Sequence, residues 1–313
     1  MESSLSEKIV VTGGAGYVGT TLVPHLLREG YRVTVLDNLR FGGEGLIPNF
    51  IHPNFKFVEL DILDPALASH VADADAVVHL AALVGYPICK KLPDEARRTN
   101  LQGTRHLLDV MKPETKLINF STGSNYGEVM GICDEDTPLN PLSLYGETKT
   151  QSELWCMERP NSVALRFATA FGLSPRMRLD LMINDFTYQA LVNRYLLVYE
   201  RHFRRTFIHV TDMARIVPHL LRRWDQAAGR RFNVGHESMN YTKEQITRLL
   251  QSKFNFHLYF ADVGSDEDKR DYEVSYARIR ATGFEAEVDI DRGLDEVIRA
   301  LRLMRIRNPY SNV

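Results

Sequence analysis

Lys8-Ile-Val-Val-Thr12 runs without a break into Gly13-Gly-Ala-Gly16-Tyr17-Val18-Gly19, and that junction decides the fold. The apolar, β-branched run before the glycines has the composition of a buried parallel strand. After it, Tyr17 to Glu29 reads as an amphipathic helix, with Pro24 expected to kink it or weaken its opening turns. Between the two, glycines allow a tight turn, let backbone approach a pyrophosphate and bring the helix close to the sheet. The first N–H groups of that helix have no partner inside it and face the phosphates. The next strand, Arg32-Val-Thr-Val-Leu36, ends at Asp37, 24 residues after Gly13. A carboxylate there accepts hydrogen bonds from ribose hydroxyls and repels a 2′-phosphate, which favours NAD over NADP. Arg40, three residues on, is the cation that would soften that preference.

Outward from this unit the rhythm continues. Phe55 to Leu60, Ala76 to Leu80, Lys116 to Phe120 and Ser162 to Ala168 read as further strands, and Pro65 to Val71, Pro93 to Met111 and Ser143 to Glu158 as helices. Alternation of this kind builds an α/β fold, a doubly wound Rossmann-type parallel sheet. After about residue 172 the alternation loosens. Residues 1–172 are expected to form the NAD-binding domain and 173–313 mainly a smaller mixed α/β cap, with about 205–235 returning to the cofactor domain. In the cap, Arg205 to His209 reads as a strand and Thr211 to Trp224 as a helix. Thr242 with Gln245 forms a capping box, and Arg292 to Met304 is amphipathic.

Composition narrows the function. The 313 residues carry 38 Lys+Arg against 40 Asp+Glu, a net charge of −2, so no basic excess exists to bind nucleic acid. Cys89, Cys133 and Cys156 are an odd set without C-x-x-C spacing, which suits neither a disulfide framework nor a zinc site, and no metal is expected. No signal-peptide pattern precedes Lys8, and the longest apolar stretch, Ala76 to Pro87, is too short to span a bilayer. A cytoplasmic protein with no membrane partner is expected.

Tyr145-Gly-Glu-Thr-Lys149 puts a phenol and an ammonium on one helix face. Lowering a phenol from its ordinary pKa of about 10 to neutrality requires about 4 kcal/mol. A cation about 4 Å away supplies roughly that much at an effective dielectric of about 20. In order along the chain stand the glycine turn, Asp37-Asn38, Asp61, Leu80-Ala81-Ala82, Asn100, Phe120 to Gly127, the Tyr145/Lys149 pair and Phe207-Ile-His-Val-x-Asp212. With these the sequence resembles the extended short-chain dehydrogenase/reductases, in particular the NAD-dependent nucleotide-sugar epimerases and dehydratases, over nearly its whole length.

The resemblance implies Tyr145 as acid/base, Lys149 on the nicotinamide ribose, and Thr122 on the reacting sugar oxygen, most often at C4. It also implies a cofactor wall of Gly13, Gly16, Tyr17, Val18, Asp37, Asn38, Asp61, Ile62, Leu80, Ala81 and Ala82. On the sugar-nucleotide side it implies Val84, Gly123, Ser124, Thr169, Arg178, Asn184, Arg205 and Arg270, the last two clamping a diphosphate, with Arg176 a further sugar or phosphate contact. Dehydratases of this family follow the Thr with Asp-Glu; here Gly123 and Ser124 stand there, which disfavours 4,6-dehydration. Ala81-Ala-Leu-Val-Gly85, Phe203-Arg-Arg205 and Lys269 to Ser275 look most like GDP-heptose 4-dehydrogenases of bacterial polysaccharide pathways, which use a 2-oxo acid to reoxidise bound cofactor. A 4-epimerase is the alternative, and a catalytically silent NAD-binding sensor the alternative from another class. A nucleotide-diphosphate sugar is thus the expected partner, and the family likeness implies a homodimer through the Pro93–Met111 and Ser143–Glu158 helices. His79, His209 and Cys89 are read as packed residues.

Overall fold

The computed structural model describes residues 6–129, 131–261, 273–304, 306 and 312. Seven parallel strands form the central sheet: β1 (Lys8–Thr12), β2 (Arg32–Asp37), β3 (Phe55–Glu59), β4 (Ala76–His79), β5 (Lys116–Thr122), β6 (Ser162–Phe167) and β7 (Arg231–Val234), in spatial order β3-β2-β1-β4-β5-β6-β7. This is the Rossmann-type doubly wound sheet. The order reverses between β1 and β4, and connections leaving these two strands in opposite directions open a crevice at their carboxyl ends.

Both faces of the sheet are buried, as the unbroken apolar strands require. Ile9 and Val11 of β1 enter one core with Leu22, Val23 and Leu26 of the helix Gly19–Arg28 and Ile216 and Leu220 of the helix Val210–Leu221. Val10 points the other way, into a second core with Val77, Leu107 and Cys156. Pro24 sits inside the helix Gly19–Arg28, which stays helical through it. The 93–111 segment is helical but changes pitch: Pro93–Arg97 and Thr104–Val110 are α, and Arg98–Gly103 between them is a π-helix. The wider turn brings Asn100, 1 % exposed, to the inside.

A third core, with Phe171, Ile183, Phe207, Ile246, Leu250, Leu294 and Ile298, lies under the carboxyl-end crevice. It joins the short strand Thr169–Phe171 to the strand Arg204–His209, which pairs antiparallel with Asn240–Thr242. The Thr242 capping box is present in both of its hydrogen bonds. Several elements have no counterpart in the sequence reading, among them the helix Tyr86–Lys91, the helix Met182–Asn193, the strand Tyr195–Tyr199 and β7. The helix Met182–Asn193 buries Ile183, Asn184, Thr187 and Ala190, so half of its inward face is polar and its apolar period is masked. In the strand Tyr195–Tyr199, buried Leu196 and Val198 alternate with exposed Tyr195, Leu197 and Tyr199, and both faces look apolar. No helix among the described residues is long and apolar enough to cross a membrane.

Helix and sheet meet closely enough that Gly19 has no room for a methyl group. A Cβ there would stand 2.4–2.6 Å from the backbone of Gly14. Gly19→Ala is expected to destabilise the fold by about 1–3 kcal/mol, the usual cost of overpacking, read as a lowered Tm; an unchanged Tm would refute this packing.

Candidate active site

One cavity of about 780 Å³ occupies the crevice above β1 and β4 and extends beneath the C-terminal elements. Its floor is the glycine turn. Gly13 has φ +71°, and a Cβ there would lie 2.6–2.8 Å from the backbone of Leu80 and Ala81. Gly16 differs: its single near neighbour is the Gly13 carbonyl at 3.3 Å, so its outer surface is open to the cavity. The helix from Gly19 starts with no side-chain cap and no acid in its first turn. Bare backbone leading to an uncapped helix N-terminus fits the pyrophosphate of a dinucleotide.

Asp37 stands at the end of β2. One carboxylate oxygen accepts the Ala15 N–H at 2.9 Å and the other the Leu39 N–H at 2.8 Å. Burial raises its pKa, against the lowering effect of those bonds and of the Arg176 guanidinium. Arg176 lies over the Phe41 ring at 4.9 Å, its N–H 3.3 Å from Thr20 Oγ1. The structure therefore places it at the Asp37 end of the cavity. Arg40 is ion-paired with Glu95. Tyr17, Val18, Asn38, Ile62, Leu80, Ala81 and Ala82 also line the cavity. Asp61 stands one layer behind, accepting from Asn38 Nδ2 at 3.1 Å and from the Leu63 N–H at 3.0 Å.

Further along the wall, β5 ends at Thr122, whose Oγ1 accepts the Ser124 N–H at 3.1 Å. Facing it is the helix Leu144–Cys156, opened by Ser143, which accepts the Gly146 N–H at 3.2 Å. Tyr145 in the first turn and Lys149 in the second line the same cavity as Thr122. Lys149 is 4 % exposed. Burial pushes its pKa down to about 8, opposed by Cys156, Glu153 and Cys89. The helix is held by Asn100, which accepts the Leu83 N–H at 2.7 Å and donates to the Leu83 carbonyl at 3.0 Å and Thr148 Oγ1 at 3.1 Å. One side chain thus fixes the Leu83 loop to the turn between Tyr145 and Lys149.

The two histidines and the cysteine are packed. His79 has ring nitrogens 2.8 Å from Thr12 Oγ1 and 3.0 Å from Thr104 Oγ1. Burial, helped by Lys149, lowers its pKa to about 3, so it stays neutral. His209 accepts the Thr211 N–H and faces Glu296 at 3.4 Å. Burial lifts the Cys89 thiol to about 11.

Beyond Tyr145 the cavity is lined by Val84, Ser124, Thr169, Arg178 and Arg205. Arg178 is 8 % exposed, donates from Nη2 to the Val84 carbonyl at 3.2 Å and forks onto Asp180. Arg205 is 6 % exposed and donates to the Arg204 carbonyl at 2.8 Å. Gly123 and Asn184 stand off the wall. Asn184 Oδ1 accepts the Gly172 N–H at 3.0 Å and Nδ2 donates to the Arg178 carbonyl at 3.0 Å, so its side chain shapes the loop that carries Arg178. Arg270 lies outside the described residues. Asp180, Tyr199 and Lys243 are wall residues that the sequence reading did not single out. Of these only Asp180 carried a signal, two residues after Arg178, and Lys243 is buried at a helix start where lysines are ordinarily solvated. Among the described residues no cluster of His, Cys, Asp or Glu is arranged to hold a metal ion.

The family model described as "NAD dependent epimerase/dehydratase family" matches residues 9–235. The chain is 30 % identical over 303 residues to the low-salt glycan biosynthesis protein Agl12 of Haloferax volcanii, covering 93 % of this chain and 97 % of that one. It is 29 % identical over 312 residues to UDP-glucuronic acid decarboxylase 2 of Arabidopsis thaliana, covering 94 % of this chain and 68 % of the relative. Among solved structures, a UDP-glucuronic acid 4-epimerase from Bacillus cereus in complex with UDP-glucuronic acid and NAD superimposes with a TM-score of 0.83 at 26 % identity, over 94 % of this chain and 99 % of the other.

Since Gly16 opens on the cavity and Gly13 on the sheet, their alanine variants should differ. Gly16→Ala is expected to lower the Tm less than Gly13→Ala does, and to weaken NAD binding at least about tenfold, about 1.4 kcal/mol, by calorimetric titration. Equal affinity in Gly16→Ala and wild type would place the pyrophosphate elsewhere.

Proposed function

As this chain belongs to the NAD-dependent epimerase/dehydratase family, we propose that it oxidises the C4 hydroxyl of a nucleotide-diphosphate sugar and releases the 4-keto sugar. The observation that carries the reading is one cavity lined by the glycine turn and by Thr122, Tyr145 and Lys149 together. Bound NAD supplies the acceptor for the hydride that leaves C4. Tyr145 takes the hydroxyl proton as general base. Thr122 holds the same oxygen while its bond order changes, and the buried Lys149 cation lowers the cost of the Tyr145 phenolate. Asp37 and the Gly13–Gly19 backbone hold the adenosine ribose and pyrophosphate, and Arg178 and Arg205 bind the sugar and its diphosphate.

Elimination of water from C4 oxidation products needs a further acid and base. The positions after Thr122 hold Gly123 and Ser124, neither able to serve, which favours a product that keeps its C6 oxygen. On the sequence likeness, the substrate is of the GDP-heptose or GDP-hexose type, and a 2-oxo acid, reduced to the 2-hydroxy acid, restores oxidised NAD for the next turnover. A second reading, 4-epimerisation, is supported by the likeness to the Bacillus cereus epimerase; in that case the hydride returns to the opposite face of the ketone and no acceptor is consumed.

The test is product analysis with GDP-mannose, GDP-heptose, UDP-glucose and UDP-glucuronic acid, each with and without 2-oxoglutarate. A 4-keto GDP-sugar that accumulates with the acceptor is expected, and an epimer formed without it would overturn the dehydrogenase in favour of the second reading. Tyr145→Phe should retain NAD and lose about 10²- to 10⁴-fold in kcat, the typical share of general base catalysis. Wild-type turnover in that variant would remove Tyr145 from the chemistry.

A further inference from the structure

Glu153 is fully buried, on the catalytic helix, one turn beyond Lys149 and two beyond Tyr145, on the face they share. The reaction gives it no task, and burying a carboxylate is poor value as a source of stability alone. Its bonds are specific. Oε2 accepts Ser121 Oγ–H at 2.5 Å and Asn125 Nδ2–H at 3.0 Å. Those two residues bracket Thr122, Gly123 and Ser124, so one oxygen grips both ends of the turn that presents Thr122. Oε1 accepts Arg166 Nη2–H at 2.6 Å and Nε–H at 3.0 Å, and lies 3.2 Å from Arg231 Nε. Arg166 is in turn fixed by donating to the Tyr126 hydroxyl at 3.0 Å and the Glu135 carbonyl at 3.1 Å. The carboxylate therefore ties the helix of Tyr145 to β5, β6 and β7 at once.

We propose that Glu153 is a positioning residue: it sets the spacing between Thr122 and Tyr145 and provides the negative charge that faces Lys149 inside the protein. Around Lys149 stand Tyr145, Glu153 and Cys156 on its own helix, Cys89 from the helix Tyr86–Lys91 and His79 from β4. Burial keeps both thiols protonated, at about 11 and about 12, and His79 neutral. Glu153 is the carboxylate in that set. It counters the desolvation that lowers Lys149 to about 8, so Lys149 loses its proton at a lower pH when the carboxylate is neutralised.

The proposal rests on the roles given above to Thr122, Tyr145 and Lys149, and its main readout requires no sugar. NAD affinity is measured by calorimetric titration from pH 6 to 9.5 for wild type, Glu153→Gln, Glu153→Asp and Lys149→Met. Wild type should lose affinity as pH rises through about 8, and Lys149→Met should show no such decline. In Glu153→Gln the decline should move down by about one pH unit, and Glu153→Asp, which keeps the charge, should move it back. At pH 6.5, where Lys149 is protonated in all three, NAD affinity should agree within about threefold while kcat of Glu153→Gln falls at least about tenfold, the mark of a displaced Thr122 turn. Should Glu153→Gln fail to fold around the unmatched Arg166, Arg166→Met takes its place, in which the carboxylate keeps Arg231 but loses its nearer countercharge and the decline should move to higher pH, with folding checked by circular dichroism. A decline that stays at the wild-type pH in the folded variant, or one that Asp does not restore, overturns the proposal.

Discussion

The close approach of the glycine turn to the end of β4 is the constraint from which the site follows. Gly13, at φ +71°, lies so near the backbone of Leu80 and Ala81 that any side chain would force the two strands' ends apart. Gly19 allows the following helix to settle directly on Gly14. With both contacts made, the helix N-terminus faces the crevice where the strand order reverses, and the Gly13 N–H is bonded to the Leu36 carbonyl at 2.8 Å, which sets Asp37 beside it. The cofactor cradle is therefore a consequence of backbone packing, with few polar side chains needed to build it.

Electrostatics in the site is arranged by burial. Tyr145 and Lys149 approach the cavity on a helix whose inner face is charged, while His79 is kept neutral by desolvation and the Lys149 charge, and the thiols chiefly by desolvation. A buried ammonium faced by the Glu153 carboxylate and otherwise by neutral groups acts at a low effective dielectric, where a single charge is worth several kcal/mol to a phenolate. At the edges, the Arg40–Glu95 ion pair and the Arg178 bond to the Val84 carbonyl join distant parts of the chain over the same cavity, and Asp180 holds Arg178 within its own loop. A net charge of −2 thus coexists with local cationic positions at Lys149, Arg178, Arg205 and Lys243 along the wall.

The first half of the fold was legible because several strands are almost continuously apolar and alternate with longer amphipathic segments, so β1 to β6 and the glycine turn could be read from residue types. The cap was less legible. Its helix Met182–Asn193 turns Asn184 and Thr187 inward, where Asn184 bonds Gly172 and the Arg178 carbonyl, and a polar residue doing backbone work breaks the apolar period. Asn100 was visible as part of a motif, but its grip on Leu83 and Thr148 depends on the π-turn, which has no sequence signature of its own. Arg176 was read together with Arg178 as a sugar or phosphate contact. The chain turns between them, and Arg176 stacks on Phe41 near Asp37.

The central claim is that a hydrogen leaves C4 of a bound sugar as hydride within this one cavity. A nucleotide sugar carrying deuterium at C4, incubated with the NAD-loaded protein, tests it directly by mass spectrometry of cofactor and sugar after denaturation. The account predicts deuterium on the nicotinamide ring, and in the 2-hydroxy acid once a 2-oxo acid is supplied. Deuterium released to solvent, or kept at C4 in a product formed without inversion there, would contradict it.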